Sequence, residues 1–266
     1  MPAAPEEGGW RIENTPGGLA PFSVFHPSTS PPSLSAKTMP EPVPNPELLG
    51  SLGRLVRGLS ALFWGLPIAL IVCVQTAKGE WFEKLGIAPP VAVMALLFYG
   101  LGLLSDFQKQ ERVWRAALER AKVFALINLG LSPFLYWWNR MPSHPFYNSI
   151  VELMMLSGLL FLFALNPVLW RLAAILPDEH LRLETKLFTS INRYIILVAI
   201  ALLGAYFILA RIDELPPLLI NLQDFMRERA GLGVVLLLVL LPVAMTMALI
   251  WKTKEIILTS IFGPEH

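Results

Sequence analysis

From about residue 51 onward the chain alternates long apolar runs with short polar ones. Six apolar segments stand out, at 58–76, 87–105, 121–138, 150–170, 194–210 and 232–251. At a helical rise of ~1.5 Å per residue, runs of 17–21 residues cover about 26–32 Å, close to the thickness of a bilayer hydrocarbon core. They hold too few polar positions for surface helices and are too long for the buried helices of a water-soluble domain. The pattern predicts an all-α, polytopic integral membrane bundle of about six transmembrane helices over residues 51–266. The stretch from Ala121 to Trp170 shows it best. Its two apolar runs are joined by a turn through Pro142, Ser143, His144 and Pro145, with the aromatic cluster Tyr136, Trp137 and Trp138 just before it.

Three of the connecting segments carry helical periodicity of their own. Phe107 to Arg120 sets Val113, Trp114, Ala117, Leu118 and Ala121 on one stripe. Leu181 to Arg193 sets Leu181, Leu187, Phe188 and Ile191 on an apolar side. Leu218 to Arg229 sets Leu218, Leu219, Leu222, Phe225 and Met226 opposite Asn221, Gln223, Asp224, Arg227 and Glu228. These are expected to be short amphipathic interfacial helices, or extensions of the adjoining spans.

Charge orients the bundle. With the N-terminus inside, thirteen Lys and Arg flank the spans on the inner side and six (Lys78, Lys84, Arg140, Arg211, Arg227, Arg229) on the outer side. The positive-inside rule then puts both termini in the cytoplasm, and the expected location is a bacterial cytoplasmic (inner) membrane. Six of the eight tryptophans fall at the ends of the spans, where an amphipathic ring is favoured. Overall composition agrees: 55% hydrophobic and 15% charged, against about 25% charged in soluble domains. A net charge of +1 and the lack of a long basic run argue against nucleic acid as a partner.

Residues 1–50 differ from the rest. They contain eleven of the 23 prolines and no apolar periodicity, so a disordered N-terminal tail is expected there. Met39 opens a segment leading directly into the first span, which raises the reading that residues 1–38 are absent from the native protein.

Within the spans the central positions carry no Asp, Glu, Lys, Arg or His. Since ionisable groups in lipid are costly and usually functional, this weighs against proton pumps, voltage sensors and ion-coupled carriers. Two neutral amides form the candidate intramembrane polar site. Asn128 lies eight residues beyond Arg120 (about 12 Å) and Asn166 five before Arg171 (about 7.5 Å). On antiparallel neighbours they reach similar depth, and a hydrogen bond between them would contribute about 0.6–2 kcal/mol. Asn128→Leu is therefore expected to lower stability. A candidate outer-face polar cluster comprises Arg140, His144 and Glu152. Pro67, Pro133, Pro167 and Pro242 are expected to kink the spans around them.

Other chemistry is thin. The single cysteine, Cys73, allows no intramolecular disulfide and no cysteine-based zinc site. Asp178, Glu179, His180 and Glu184 are the densest titratable cluster, better explained as an acidic helix start than as metal ligands. Nucleotide-binding, nucleophile-elbow and calcium-loop motifs do not occur, and no cofactor is expected. Small residues make two stripes, Ala61, Gly65 and Ala69 on the first span and Ala201 with Ala205 on the fifth. Such stripes let helix backbones approach closely. They suit contact with this chain's own helices, with a second copy, or with another membrane protein. The expected function is accordingly a non-catalytic scaffold or accessory subunit of a membrane complex. A transporter or channel for a neutral or lipidic solute is the alternative, and a membrane enzyme acting on lipid the second alternative.

Overall fold

The structure, a computed structural model, describes residues 46–79, 82–107, 111–175, 179–209, 211–212 and 229–262, and the account below concerns those residues. The expected tail up to residue 45, most of the expected interfacial helix at 218–229, and Asp178 lie outside them. The described chain is all-α: α1 (Pro46–Lys78), a short 3-10 turn (Glu83–Leu85), α2 (Ala88–Ser105), α3 (Arg112–Leu131), α4 (Phe134–Arg140), α5 (Pro145–Ile175), α6 (Glu179–Leu209) and α7 (Arg229–Phe262). Five of these, α1, α2, α5, α6 and α7, are long and apolar enough to cross a membrane. The multi-pass helical-bundle class expected from the sequence is the class observed.

The expected third span, 121–138, is divided between α3 and α4, and the physical cause is Pro133. Proline has no N–H to give the carbonyl four residues earlier, that of Leu129. The hydroxyl of Ser132 donates to that carbonyl instead, at 2.8 Å. Ser132 and Pro133 both keep right-handed helical angles (φ −59°, ψ −34° and φ −60°, ψ −30°), so the backbone continues as a helical turn through the break. α3 and α4 therefore act as one interrupted column. The expected interfacial segment 107–120 is continuous with it: α3 starts at Arg112 and runs unbroken to Leu131. The expected segment 181–193 is likewise the first part of α6. At the N-terminal side α1 already begins at Pro46, inside the expected tail, with proline at the helix start where its missing N–H costs nothing.

The columns close into a ring in chain order. α1 packs on α2, α2 on α3, α3 on α5, α5 on α6, α6 on α7, and α7 returns to α1; α4 leans on both α1 and α5. The α1–α2 contact shows why the small residues are there. A Cβ built on Gly58 would lie 2.9 Å from the Gly100 carbonyl oxygen, and one on Gly65 would lie 2.7 Å from Leu97 Cδ2. One on Gly100 would sit 3.2 Å from the Ala61 Cβ. The first small-residue stripe is thus consumed within the chain, letting two antiparallel backbones approach where larger side chains would hold them apart. Leu55, Leu59, Leu62, Leu97, Leu101 and Leu104 fill the seam around it.

α6 is oriented against the usual rule for water-soluble proteins. Its buried lane is Thr185, Thr189 and Asn192, followed by Ile196 and Ala199. Its exposed residues include Leu187, Phe188, Ile191, Leu197, Val198, Leu202 and Ile208. The sequence reading of 181–193 gave that apolar side no particular outlook; the structure turns Leu187, Phe188 and Ile191 outward and the polar lane inward. Such an arrangement is stable only if the surroundings are less polar than the interior seam, as a lipid tail region is. Lys186 and Arg193 are also exposed, and Arg193 lies 5.1 Å from the Phe163 ring.

Candidate functional site

The seam between α5, α6 and α7 holds the most organised polar group of the described residues. The Asn192 amide of α6 donates to Asn166 Oδ1 of α5 at 3.1 Å and to Thr246 Oγ1 of α7 at 3.1 Å. The Thr246 hydroxyl passes its own proton to the Pro242 carbonyl at 2.7 Å. All three side chains are sealed from solvent, Asn192 completely (0% exposed). Thr185 and Thr253, each two turns along its helix from the node, are buried too. The node lies one to two turns from Trp170, Arg171, Trp251 and Lys252 along α5 and α7. Arg171 sits 4.7 Å over the Trp170 ring and Lys254 5.9 Å from that of Trp251. Pairs of this type mark the membrane–water boundary, so the node belongs to the outermost part of the hydrocarbon region, on the side of the α1 N-terminus.

The node is only partly satisfied. Asn166 Nδ2, Asn192 Oδ1 and Thr185 Oγ1 are buried without a hydrogen-bond partner. Between helices in lipid a polar bond averages about 0.6 kcal/mol, so three helices pinned by two such bonds gain register more than strength.

Of the two amides singled out from sequence, Asn166 is in this node and Asn128 is not. Both are buried, and their helices α3 and α5 are packed neighbours. Yet Asn166 Oδ1 accepts from Asn192, while Asn128 Oδ1 has no hydrogen-bond partner. The anticipated Asn128–Asn166 bond is replaced by an Asn192–Asn166 bond. Asn192 and Thr246 were missed. The signal was present: Thr185, Thr189 and Asn192 recur at i, i+4 and i+7, a polar lane opposite apolar residues. It reads as a water-facing side only if water is assumed to be outside.

Each of the three outer-face residues makes a contact of its own. Glu152 pairs with Arg211, at 3.0 Å, and Arg211 also reaches Ser149 Oγ at 3.5 Å. His144 is exposed and rests against the Tyr147 ring, at 5.3 Å between centroids. Arg140 lies 5.6 Å over the Tyr136 ring. Asn148 accepts from the Trp138 indole N–H, tying the start of α5 back to α4. These contacts describe an aromatic and polar collar at the membrane boundary, with Glu152 neutralised by a cation the sequence reading had not paired with it. Among the described residues no group of three or more His, Cys, Asp or Glu is placed to hold a metal ion. Neither the node residues nor the collar line the cavity of about 160 Å³ that opens between α2 and α3.

Helix surfaces differ sharply in how much this chain covers. Of the most apolar stretch of α5, 56% is buried; of α6, only 17%. The second small-residue stripe, Ala201 and Ala205, faces outward on α6. No family model matches the chain, and neither a curated protein nor a solved structure matches it. What the residues establish is the class: a multi-spanning helical membrane protein.

Proposed function

We propose that this protein is a non-catalytic membrane scaffold or accessory subunit, with both termini in the cytoplasm of a bacterial cell, and that α6 is the helix it offers to a partner. The observation that carries this reading is the unequal coverage of the helices. Among the described residues the main packing of α6 is on α5 and α7, and Ala201 and Ala205 face outward. In lipid, apolar side chains gain nothing by leaving the tails for another helix, so helix association depends on close backbone approach at small residues. The chain has used one such stripe internally, between α1 and α2, and left the other uncovered. The buried amides support the same reading, because Asn166 and Asn192 are engaged with each other and with Thr246 and lie away from the α2–α3 cavity.

A photo-crosslinking amino acid at Ala201 or Ala205, expressed in native membranes, tests the proposal. The expected result is one discrete protein adduct at both positions and none from the control position Leu126 on α3. Adducts with lipid alone at Ala201 and Ala205 would overturn it.

A further inference from the structure

Asn192 fixes the level of its neighbour Arg193 in the bundle, because its amide is bonded to Asn166 of α5. The Arg193 guanidinium lies 5.1 Å from the ring of Phe163, also on α5. Phe163 is three residues, about 4.5 Å, farther than Asn166 from the Arg171 end of α5, and eight residues, about 12 Å, from Arg171 itself. The side chain therefore turns toward the bilayer interior, away from the boundary marked by Trp170 and Arg171.

Arg193 is exposed on the surface of α6, so its charge meets whatever lies against that helix. A ring face attracts a cation but supplies neither a countercharge nor an acceptor for the five guanidinium N–H donors. Among the described residues no carboxylate pairs with Arg193. A cation at this depth is costly in hydrocarbon, and such residues are retained where a partner group meets them.

The surface next to Arg193 suits a helix better than a headgroup. Leu197, Ala201 and Ala205 follow it at i+4, i+8 and i+12, all exposed, as one stripe along α6. Beside them Gly204 has nothing within 4 Å of where a Cβ would stand. Headgroup phosphates belong at the Trp170–Arg171 level, too far out for this guanidinium. A second copy of this chain is ill matched: two copies inserted the same way are related by a two-fold axis along the membrane normal, so Arg193 would face Arg193 at equal depth.

We infer that α6 docks a transmembrane helix of a different protein, one that carries an Asp or Glu at the depth of Phe163 and small residues opposite Ala201 and Ala205. The carboxylate accepts two N–H groups of Arg193 in a bidentate pair. This rests on the reading of α6 as the partner-binding helix and adds the partner's chemistry to it.

The test uses the full-length protein in native membranes, with the photo-crosslinking amino acid at Ala201 reporting docking. Arg193→Gln should lower the Ala201 adduct about tenfold, and Arg193→Lys should keep most of it. Arg193→Lys membranes are then treated with a membrane-permeant carbodiimide, which condenses a lysine amine with a carboxylate in contact. A new adduct should form, absent from wild type and Arg193→Gln. Its fragments should place the link on an Asp or Glu within an apolar run of the protein trapped at Ala201. Purified Arg193→Gln should unfold no more readily than wild type; a loss of stability there would assign the residue to the fold instead and overturn the inference. An undiminished Ala201 adduct in Arg193→Gln, or no carbodiimide adduct in Arg193→Lys, would overturn it while leaving the partner reading standing. An Ala201 adduct made of two copies of this chain, or a crosslinker at Leu197 that captures phospholipid alone, would overturn it as well. A missing Ala201 adduct in wild type would overturn both readings.

Discussion

Replacing Asn192 with leucine removes the centre of the three-helix node, and the loss can be bounded from its geometry. Two hydrogen bonds disappear, each 3.1 Å long in the wild type. Interhelical bonds in membranes average about 0.6 kcal/mol and reach about 1.7, so the pair contributes roughly 1–3 kcal/mol. Asn166, whose Nδ2 already lacks a partner, is then left with a wholly unsatisfied buried amide, which pushes the cost toward the upper end. An apolar side chain in an apolar bundle offsets part of it. The net expectation for Asn192→Leu is a destabilisation of about 1–3 kcal/mol, a factor of roughly 5 to 150 in the unfolding equilibrium. Steric trapping in bicelles measures this in a bilayer-like setting. Asn128→Leu is the matched control. Its Oδ1 has no hydrogen bond to lose, so replacement is expected to be neutral or stabilising, the reverse of the expectation from sequence. A double cycle with Asn166→Leu should return a coupling of about 0.6–1.7 kcal/mol. Wild-type stability in Asn192→Leu together with clear destabilisation in Asn128→Leu would refute the assignment of the node.

Further outcomes follow from the same contacts. Gly58→Ala must push α1 off the Gly100 carbonyl and should cost about 1–3 kcal/mol; Gly65→Ala meets only the movable tip of Leu97 and should cost less in the same assay. Gly102→Ala has nothing within 4 Å and should be neutral or stabilise the helix by up to about 1 kcal/mol. Ser132→Ala strands the Leu129 carbonyl beside Pro133 and should cost about 1 kcal/mol, readable as a lower melting temperature in detergent. Glu152→Gln removes a partly exposed ion pair with Arg211, so its effect should stay below about 1 kcal/mol and shrink further in high salt.

Most of the architecture was legible because lipid imposes a simple rule on the chain. Runs near 20 residues without charge have one stable form, and five of the six expected segments correspond to single long helices. The third was harder because local chemistry decided it. Pro133 breaks the hydrogen-bond ladder, and only the structure shows the neighbouring serine repairing the break. The seam was misread for a different reason. Lys186 and Arg193 make the first half of α6 look like an aqueous helix, so Thr185, Thr189 and Asn192 seemed ordinary. In the structure the apolar side chains Leu187, Phe188 and Ile191 face outward, and the polar lane points into the protein. Asn166 was found because it lies inside an unmistakable span. Its partner was not, since pairing depends on helix rotation and on which columns become neighbours, neither of which a hydropathy pattern contains. The cavity between α2 and α3 was invisible for the same reason: its residues come from the end of one helix and the middle of another.

The account rests most heavily on the claim that lipid surrounds the whole ring, including the interrupted α3–α4 column. Spin labels attached at Ile71 on α1 and Leu126 on α3, both exposed, in a Cys73→Ala background and a reconstituted bilayer, measure this directly. Both labels should relax strongly with dissolved oxygen and weakly with a water-soluble nickel chelate. If the chelate reaches Leu126 as readily as oxygen does, the α3–α4 column stands in water and the six-column membrane bundle is wrong.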